Sequence, residues 1–147
     1  MTIRHDASHK LNSPKYLVVA VGPAKIEGRK ILTPVQYAHM VAIEKRLEDW
    51  GNRDELADLD IEKVTNQIWE LKEKGGPLHK KNIRVYFSVL EESREVVVLK
   101  TYKKEQDGQV SRHVLISAED RLDDYEAGLL NAGKSVHIPT AVPKNAR

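Results

Sequence analysis

Residues 82–104 read Asn-Ile-Arg-Val-Tyr-Phe-Ser-Val-Leu-Glu-Glu-Ser-Arg-Glu-Val-Val-Val-Leu-Lys-Thr-Tyr-Lys-Lys. Two β-rich runs, 83–90 and 96–102, flank a short charged segment, which is the pattern of a hairpin. Alternation in the first run puts Ile83, Val85, Phe87 and Val89 on one face and Arg84, Tyr86 and Ser88 on the other. With the turn centred on Ser93, Val97, Leu99 and Thr101 extend the apolar face, and Lys100 and Tyr102 lie across from Tyr86 and Arg84. The hairpin is thus expected to offer one face to a core and to leave the other as an open cationic, aromatic surface suited to an anion.

A chain of 147 residues suits one domain with a real core, here expected over residues 15–130 between flexible tails at 1–14 and 131–147. No apolar run approaches the ~20 residues that cross a bilayer, and no signal-peptide pattern opens the chain. The absence of cysteine excludes disulfides, thiolate metal sites and cysteine nucleophiles, and is compatible with a cytoplasmic protein. His5 and His9 have a metal-compatible spacing but no helix to present them, so no metal site is assigned and no cofactor is implied.

A net charge of +2 hides an asymmetry. Between residues 72 and 104, nine cations (Lys72, Lys74, Lys80, Lys81, Arg84, Arg94, Lys100, Lys103 and Lys104) face four glutamates; from 105 to 130 acids predominate. Charge runs of this kind are usually just solvated surfaces, here of opposite sign, but a basic segment that coincides with a sheet face favours a polyanionic partner.

The rest of the chain supplies cover for the hairpin. Residues 16–21 form a short apolar run ended by Gly22-Pro23, a buried strand, and a loop containing Gly28 follows. Thr33, Pro34 and Gln36 form a capping box that opens a helix to about Trp50, with Tyr37, Met40, Ile43, Leu47 and Trp50 as its apolar stripe. A second, short helix fits residues 53–59 after Asn52, residues 58–65 read as a connector, and 67–72 as a strand ended by Gly75-Gly76-Pro77. Asp107-Gly108 marks a turn. From Ser111 a long helix is favoured by the spacing of Leu115, Ala118, Leu122, Tyr125 and Leu129; the competing pattern is a strand over 109–116 with Ser117 capping a shorter helix. A short edge strand fits 135–138. The result is α+β: a small antiparallel sheet of about four strands, packed on one face by one or two N-terminal helices, with a C-terminal helix.

No Walker loop, dinucleotide glycine pattern, His-Glu-x-x-His or nucleophile elbow occurs. Four stretches in order do carry a resemblance: Ile68-Trp69-Glu70-Leu71-Lys72, Ile83-Arg84-Val85-Tyr86-Phe87, Val97-Val98-Leu99-Lys100-Thr101-Tyr102-Lys103-Lys104, and Ala118-Glu-Asp-Arg121-Leu-Asp-Asp124-Tyr125. Together they resemble the RelE/HigB toxins of the RelE/ParE superfamily, in its phage-derived branch. Lys72 stands where that family has arginine, Ile83 where it has tyrosine before the strand arginine, and Val110-Ser111 where it often has Thr-Pro. The spacing after Tyr102 is also one residue shorter than the family's aromatic-x-Lys-Lys.

The resemblance implies a RelE-like fold and the toxin of a type II toxin–antitoxin system. Such a toxin is a metal-independent endoribonuclease that cleaves mRNA on the ribosome and is neutralised by an antitoxin, often a helix-turn-helix protein. Cleavage through the RNA 2′-hydroxyl needs a base, a cation for the phosphorane and an acid for the leaving oxygen. The catalytic candidates are Arg84, Lys100, Lys103, Lys104 and Tyr125, with Arg84 as phosphate clamp, the choice of base lysine open, and Tyr125 divided between packing and acid roles. Lys72, Lys80, Lys81, Tyr86 and Tyr102 are the RNA-binding candidates, with His79 beside Lys80 and Lys81 as a further phosphate-backbone contact; His113 is divided between an acid and an ordinary surface histidine. The alternative is the same fold without nuclease activity, acting on a topoisomerase or another partner.

Overall fold

A computed structural model describes residues 14–105 and 111–134. Within them a six-stranded sheet runs in the order β2-β3-β4-β5-β1-β6, with β1 (Leu17–Val21), β2 (Asp60–Lys63), β3 (Trp69–Glu73), β4 (Ile83–Leu90), β5 (Glu95–Lys103) and β6 (Ala132–Lys134). Every neighbouring pair is antiparallel except β1 with β5. The class is α+β, as the sequence predicts, but the sheet has six strands rather than about four. The added edges are β2, which falls in the expected connector, and β6, which takes residues 132–134 out of the expected C-terminal tail. Residues 1–13 of the expected N-terminal tail, residues 135–147 of the C-terminal one with the expected 135–138 strand, and the Asp107-Gly108 turn lie outside the described residues.

Helix α1 (Gly22–Ile31) replaces the expected loop. Pro23 in its first turn fixes a helical φ, and Gly28, normally a helix weakener, lets the next helix approach: a Cβ there would lie 3.0 Å from the Tyr37 ring. Helix α2 (Pro34–Lys45) opens on the capping box, with Gln36 N–H donating to Thr33 Oγ1 and Thr33 N–H donating to Gln36 Oε1. It continues as a 3-10 turn, Arg46–Asp49, to the buried Trp50. The short second helix is a single 3-10 turn, Arg53–Leu56, without an Asn52 side-chain cap.

Trp50 meets Trp69 and Phe87 edge to face, at 4.8 and 5.5 Å between centroids, so the N-terminal helical layer covers the Ile83–Val85–Phe87 face. Helix α3 (Arg112–Glu126) confirms the helix after Ser111. It buries Val114, Ala118 and Leu122, while Leu129, expected on its stripe, is 77% exposed.

One irregularity re-aims β5. Arg84 pairs with Tyr102 and Tyr86 with Lys100, as the alternation predicts, but Phe87 then pairs with Val98, leaving Leu99 as the extra residue of a β-bulge. A one-residue slip exchanges faces, so Val97 stands opposite Ser88 instead of extending the Phe87 face.

Candidate nucleic-acid interface

The Arg84 face is not open. Lys100, opposite Tyr86, donates to Ser117 Oγ on α3 at 3.3 Å, so α3 lies across this face of the sheet. Tyr86 is fully buried and Arg84 is 7% exposed. Their alternation is polar enough to suggest solvent, yet a second helix buries it, and the polar groups are retained because they satisfy one another.

Glu70 is the centre of that satisfaction. Opposite Tyr86 on β3, its Oε2 accepts from the Tyr86 hydroxyl at 2.7 Å and from Arg84 Nη1 at 3.2 Å, and Lys72 Nζ lies 3.8 Å from Oε1. Arg84 Nε donates to Asn82 Oδ1 at 3.3 Å. Burial and the Glu70 bond push the Tyr86 phenol strongly up. Arg84, expected as a phosphate clamp on an open surface, therefore has its guanidinium turned into a buried ion pair, and Tyr86 is not available to stack on a base. Lys72 is bound to Glu62 at 3.1 Å, and that hydrogen bond raises its pKa and holds the ammonium charged.

A second polar cluster explains Lys100. The β1 strand leaves β5 at the Ala20–Val98 pair and turns directly into α1, so β5 continues without a strand neighbour on that side. Glu27 of α1 accepts from Thr101 N–H at 3.0 Å, and Arg121 of α3 donates to the Leu99 carbonyl at 2.9 Å. Glu27 and Arg121 also form a two-pronged ion pair at 2.9 and 2.7 Å, and Lys100 joins Glu27 at 3.1 Å. These side chains cap the backbone groups the missing strand would have paired. Burial pushes Glu27 up, but the Arg121 and Thr101 hydrogen bonds with the Arg121 and Lys100 charges outweigh it, and its pKa falls.

Tyr125 lies apart from both clusters, donating to Glu95 at 3.1 Å; burial first, then Glu95, push its phenol up to about 12.

The remaining candidates converge at the end of the sheet where β3 and β5 finish and β4 begins. Lys103 pairs with Ile83, and Lys104 N–H donates to the Asn82 carbonyl at 2.9 Å. The preceding loop takes two successive non-glycine residues into the left-handed region, His79 at φ 52° and Lys80 at φ 71°. That strained loop sets His79 and Lys80 out in solvent. Lys81 instead folds inward, donating to the Ile31 carbonyl at the α1 C-terminus and to Gln36 Oε1 at 2.9 and 2.7 Å. Arg29 and Lys30, in the last turn of α1, are exposed. Tyr102 is half-buried opposite Arg84, and the exposed Lys103 has Glu105 at 4.0 Å.

The register thus brings together Lys80, Lys81, Lys103, Lys104 and Tyr102, but not Tyr125 or an exposed Arg84. Glu27 was not singled out from the sequence, and Glu70 and Arg121 entered only as members of the stretches that carry the resemblance, with no role at the site. A signal for Glu70 existed, since alternation along 69–73 puts a lone acid on the face of Arg84 and Tyr86. Among the described residues no group of three or more His, Asp or Glu side chains is placed to hold a metal, and no helix is long and apolar enough to cross a membrane. No family model matches the chain, and no curated protein sequence matches it.

Proposed function

We propose that the chain is a RelE/HigB-type toxin that takes RNA at the basic end of its sheet and cleaves it on the ribosome. The observation that carries this reading is the convergence of the loop lysines and the β5-end lysines around the start of β4. In support, the four stretches of the resemblance fall in order on β3, β4, β5 and α3. In the proposed reaction the 2′-oxygen attacks the adjacent phosphorus and the P–O5′ bond breaks, giving a 2′,3′-cyclic phosphate and a 5′-hydroxyl. One group takes the 2′-proton, another returns a proton to O5′, and the cations hold the phosphorane charge. On this proposal Lys80, Lys103 and Lys104 meet phosphate, Tyr102 lines the approach, and Arg84 holds the sheet.

A second reading keeps the fold but drops cleavage, with a topoisomerase or another partner as the target. It is favoured by the carboxylate that each of Arg84, Lys100 and Lys72 already carries. Expressing the chain without a partner and mapping 5′ ends on ribosome-bound mRNA separates the two. Growth arrest with new 5′-hydroxyl ends, abolished in a folded Lys80→Glu/Lys103→Glu variant, is expected. Arrest with intact mRNA selects the second reading, and neither arrest nor salt-sensitive RNA binding overturns both.

A further inference from the structure

The opposite end of the sheet holds a second site. There β3 begins only at Trp69 while β4 runs on to Leu90, and the resulting notch encloses about 290 Å³. This is near the lower bound of small-molecule pockets, about 300 Å³. Trp50 and Trp69 form one wall and Leu122 of α3 another, with Ser88 and Val89 also lining it.

Two features of the notch are not explained by packing. Ser88 is 3% exposed, yet its hydroxyl has no hydrogen-bond partner among the described residues. Buried hydroxyls are nearly always paired, so an orphan on a pocket wall is a place reserved for a ligand atom. At the rim, the exposed Asn66 and Gln67 side-chain amides also lack partners among the described residues, beside the indole of Trp69.

The lining selects the ligand class. Trp50 and Trp69, at 79° to one another, give the notch an aromatic face and an aromatic edge against which a planar ring can pack, and the two amides each offer a donor and an acceptor, the complement of a base edge. Glu91 and Glu126 at the rim disfavour phosphate inside the notch but accept from an amino group. Arg53 lies 3.9 Å over Trp50 and 5.1 Å over Trp69, and Lys63, which itself lines the notch, lies 5.5 Å over Trp69, so cations flank the indoles where they can meet the backbone phosphate of a bound strand. We infer that this notch binds a single unpaired nucleobase bearing an exocyclic amino group, with Asn66, Gln67 and Ser88 reading its edge. The inference rests on the RNA-directed function proposed above. The eight residues of β4 separate the two sites by roughly 25 Å, which a single strand of several nucleotides spans.

Both tryptophans of the chain line the notch, so tryptophan emission, excited beyond the tyrosine absorption band, reports on it. The full chain is titrated with adenosine, cytidine and uridine, none of which carries phosphate, and with inorganic phosphate. Adenosine and cytidine should change the emission, uridine should bind about tenfold more weakly, the loss of one good hydrogen bond, and phosphate should have no effect. The folded Asn66→Ala/Gln67→Ala variant should lose a further tenfold for adenosine while keeping its salt-sensitive binding of an oligoribonucleotide at the basic end. Silence toward adenosine at millimolar concentration, equal response to uridine, or unchanged adenosine affinity in that variant would each overturn the site. If the oligoribonucleotide still binds in those cases, the toxin reading stands without the notch; nucleoside binding without arrest or RNA cutting leaves the notch and removes the toxin.

Discussion

Glu70 and Glu44 are both buried glutamates, 3% and 7% exposed, on opposite faces of the same sheet, and their surroundings could hardly differ more. Glu70 takes donors from Arg84 and Tyr86 and has Lys72 nearby. Glu44 on α2 lines a cavity of about 10 Å³ between α1, α2 and the sheet, room for one water, and accepts no hydrogen bond among the described residues. Burial pushes its carboxyl up to about 8, with the Lys25 charge only partly opposing. The same burial pushes the Lys25 ammonium down, with help from Arg29. The lesson is that burial sets the penalty and partners decide how it is met. Where donors converge the charge becomes a structural bolt; where they do not, the group is driven neutral.

The largest effect is expected from removing Glu70. Glu70→Ala leaves the Arg84 guanidinium buried without its carboxylate, and should cost about 3–5 kcal/mol in urea unfolding. The double change Glu70→Leu/Arg84→Met removes both charges together and should recover most of that loss. If the single and double variants were equally unstable, shape rather than charge pairing would hold this face.

Glu44 supplies the converse test through pH. Its folded pKa lies above the unfolded value of 4.5, so the folded state binds the proton more tightly. Stability is complete below the unfolded pKa and is lost as pH rises toward about 8, above which the curve flattens. Between about pH 5 and 8 the loss is on the order of 3 kcal/mol. Glu44→Gln should abolish that slope, matching the wild type in acid and exceeding it in base. A wild-type melting temperature independent of pH over this window would contradict the account.

Glu27 gives a smaller effect of opposite sign. Its pKa is lowered, so its contribution is present above the unfolded value and disappears as pH falls through the depressed one. Glu27→Gln should weaken the protein by about 1–3 kcal/mol at neutral pH and remove part of its acid sensitivity, since the cap on Thr101 and the Arg121 pair go together. Amide exchange at Thr101 should quicken in the variant; unchanged protection there would show that Glu27 does not cap this edge.

These clusters also mark where the sequence stops being legible. The hairpin, the Arg84–Tyr102 and Tyr86–Lys100 pairs, the capping box and the helix after Ser111 were readable because each rests on local periodicity or a local motif. Helix α1 was not, because Gly28 reads as a breaker until Tyr37 is seen against it. The closed Arg84 face was not, because alternation of Arg, Tyr and Ser signals solvent unless a distant acid and a second helix are known to arrive. The bulge at Leu99 has no composition signature, yet it decides which face Val97 joins. Of the candidate residues, the lysines of the basic end could be grouped because they are neighbours through the hairpin register, whereas the place of Tyr125 depended on long-range packing that periodicity does not carry.

The smallest effect is expected at a polar group that is buried, neutral and well partnered. Gln36 is 6% exposed; its Oε1 accepts from Thr33 N–H and from Lys81 Nζ, and its Nε2 donates to the Pro77 carbonyl. Thr33→Ala removes only one bond, from Gln36 N–H to Oγ1, and leaves the Gln36 side-chain bonds in place. The expected cost is about 1 kcal/mol, a typical N-cap loss, with no dependence on pH between 5 and 9 because no charge is stranded. That flat response separates losing a partner from stranding a charge. A Thr33→Ala penalty as large as that of Glu70→Ala would mean that Gln36, through Lys81 and Pro77, anchors the strained Lys80 loop as well as the start of α2.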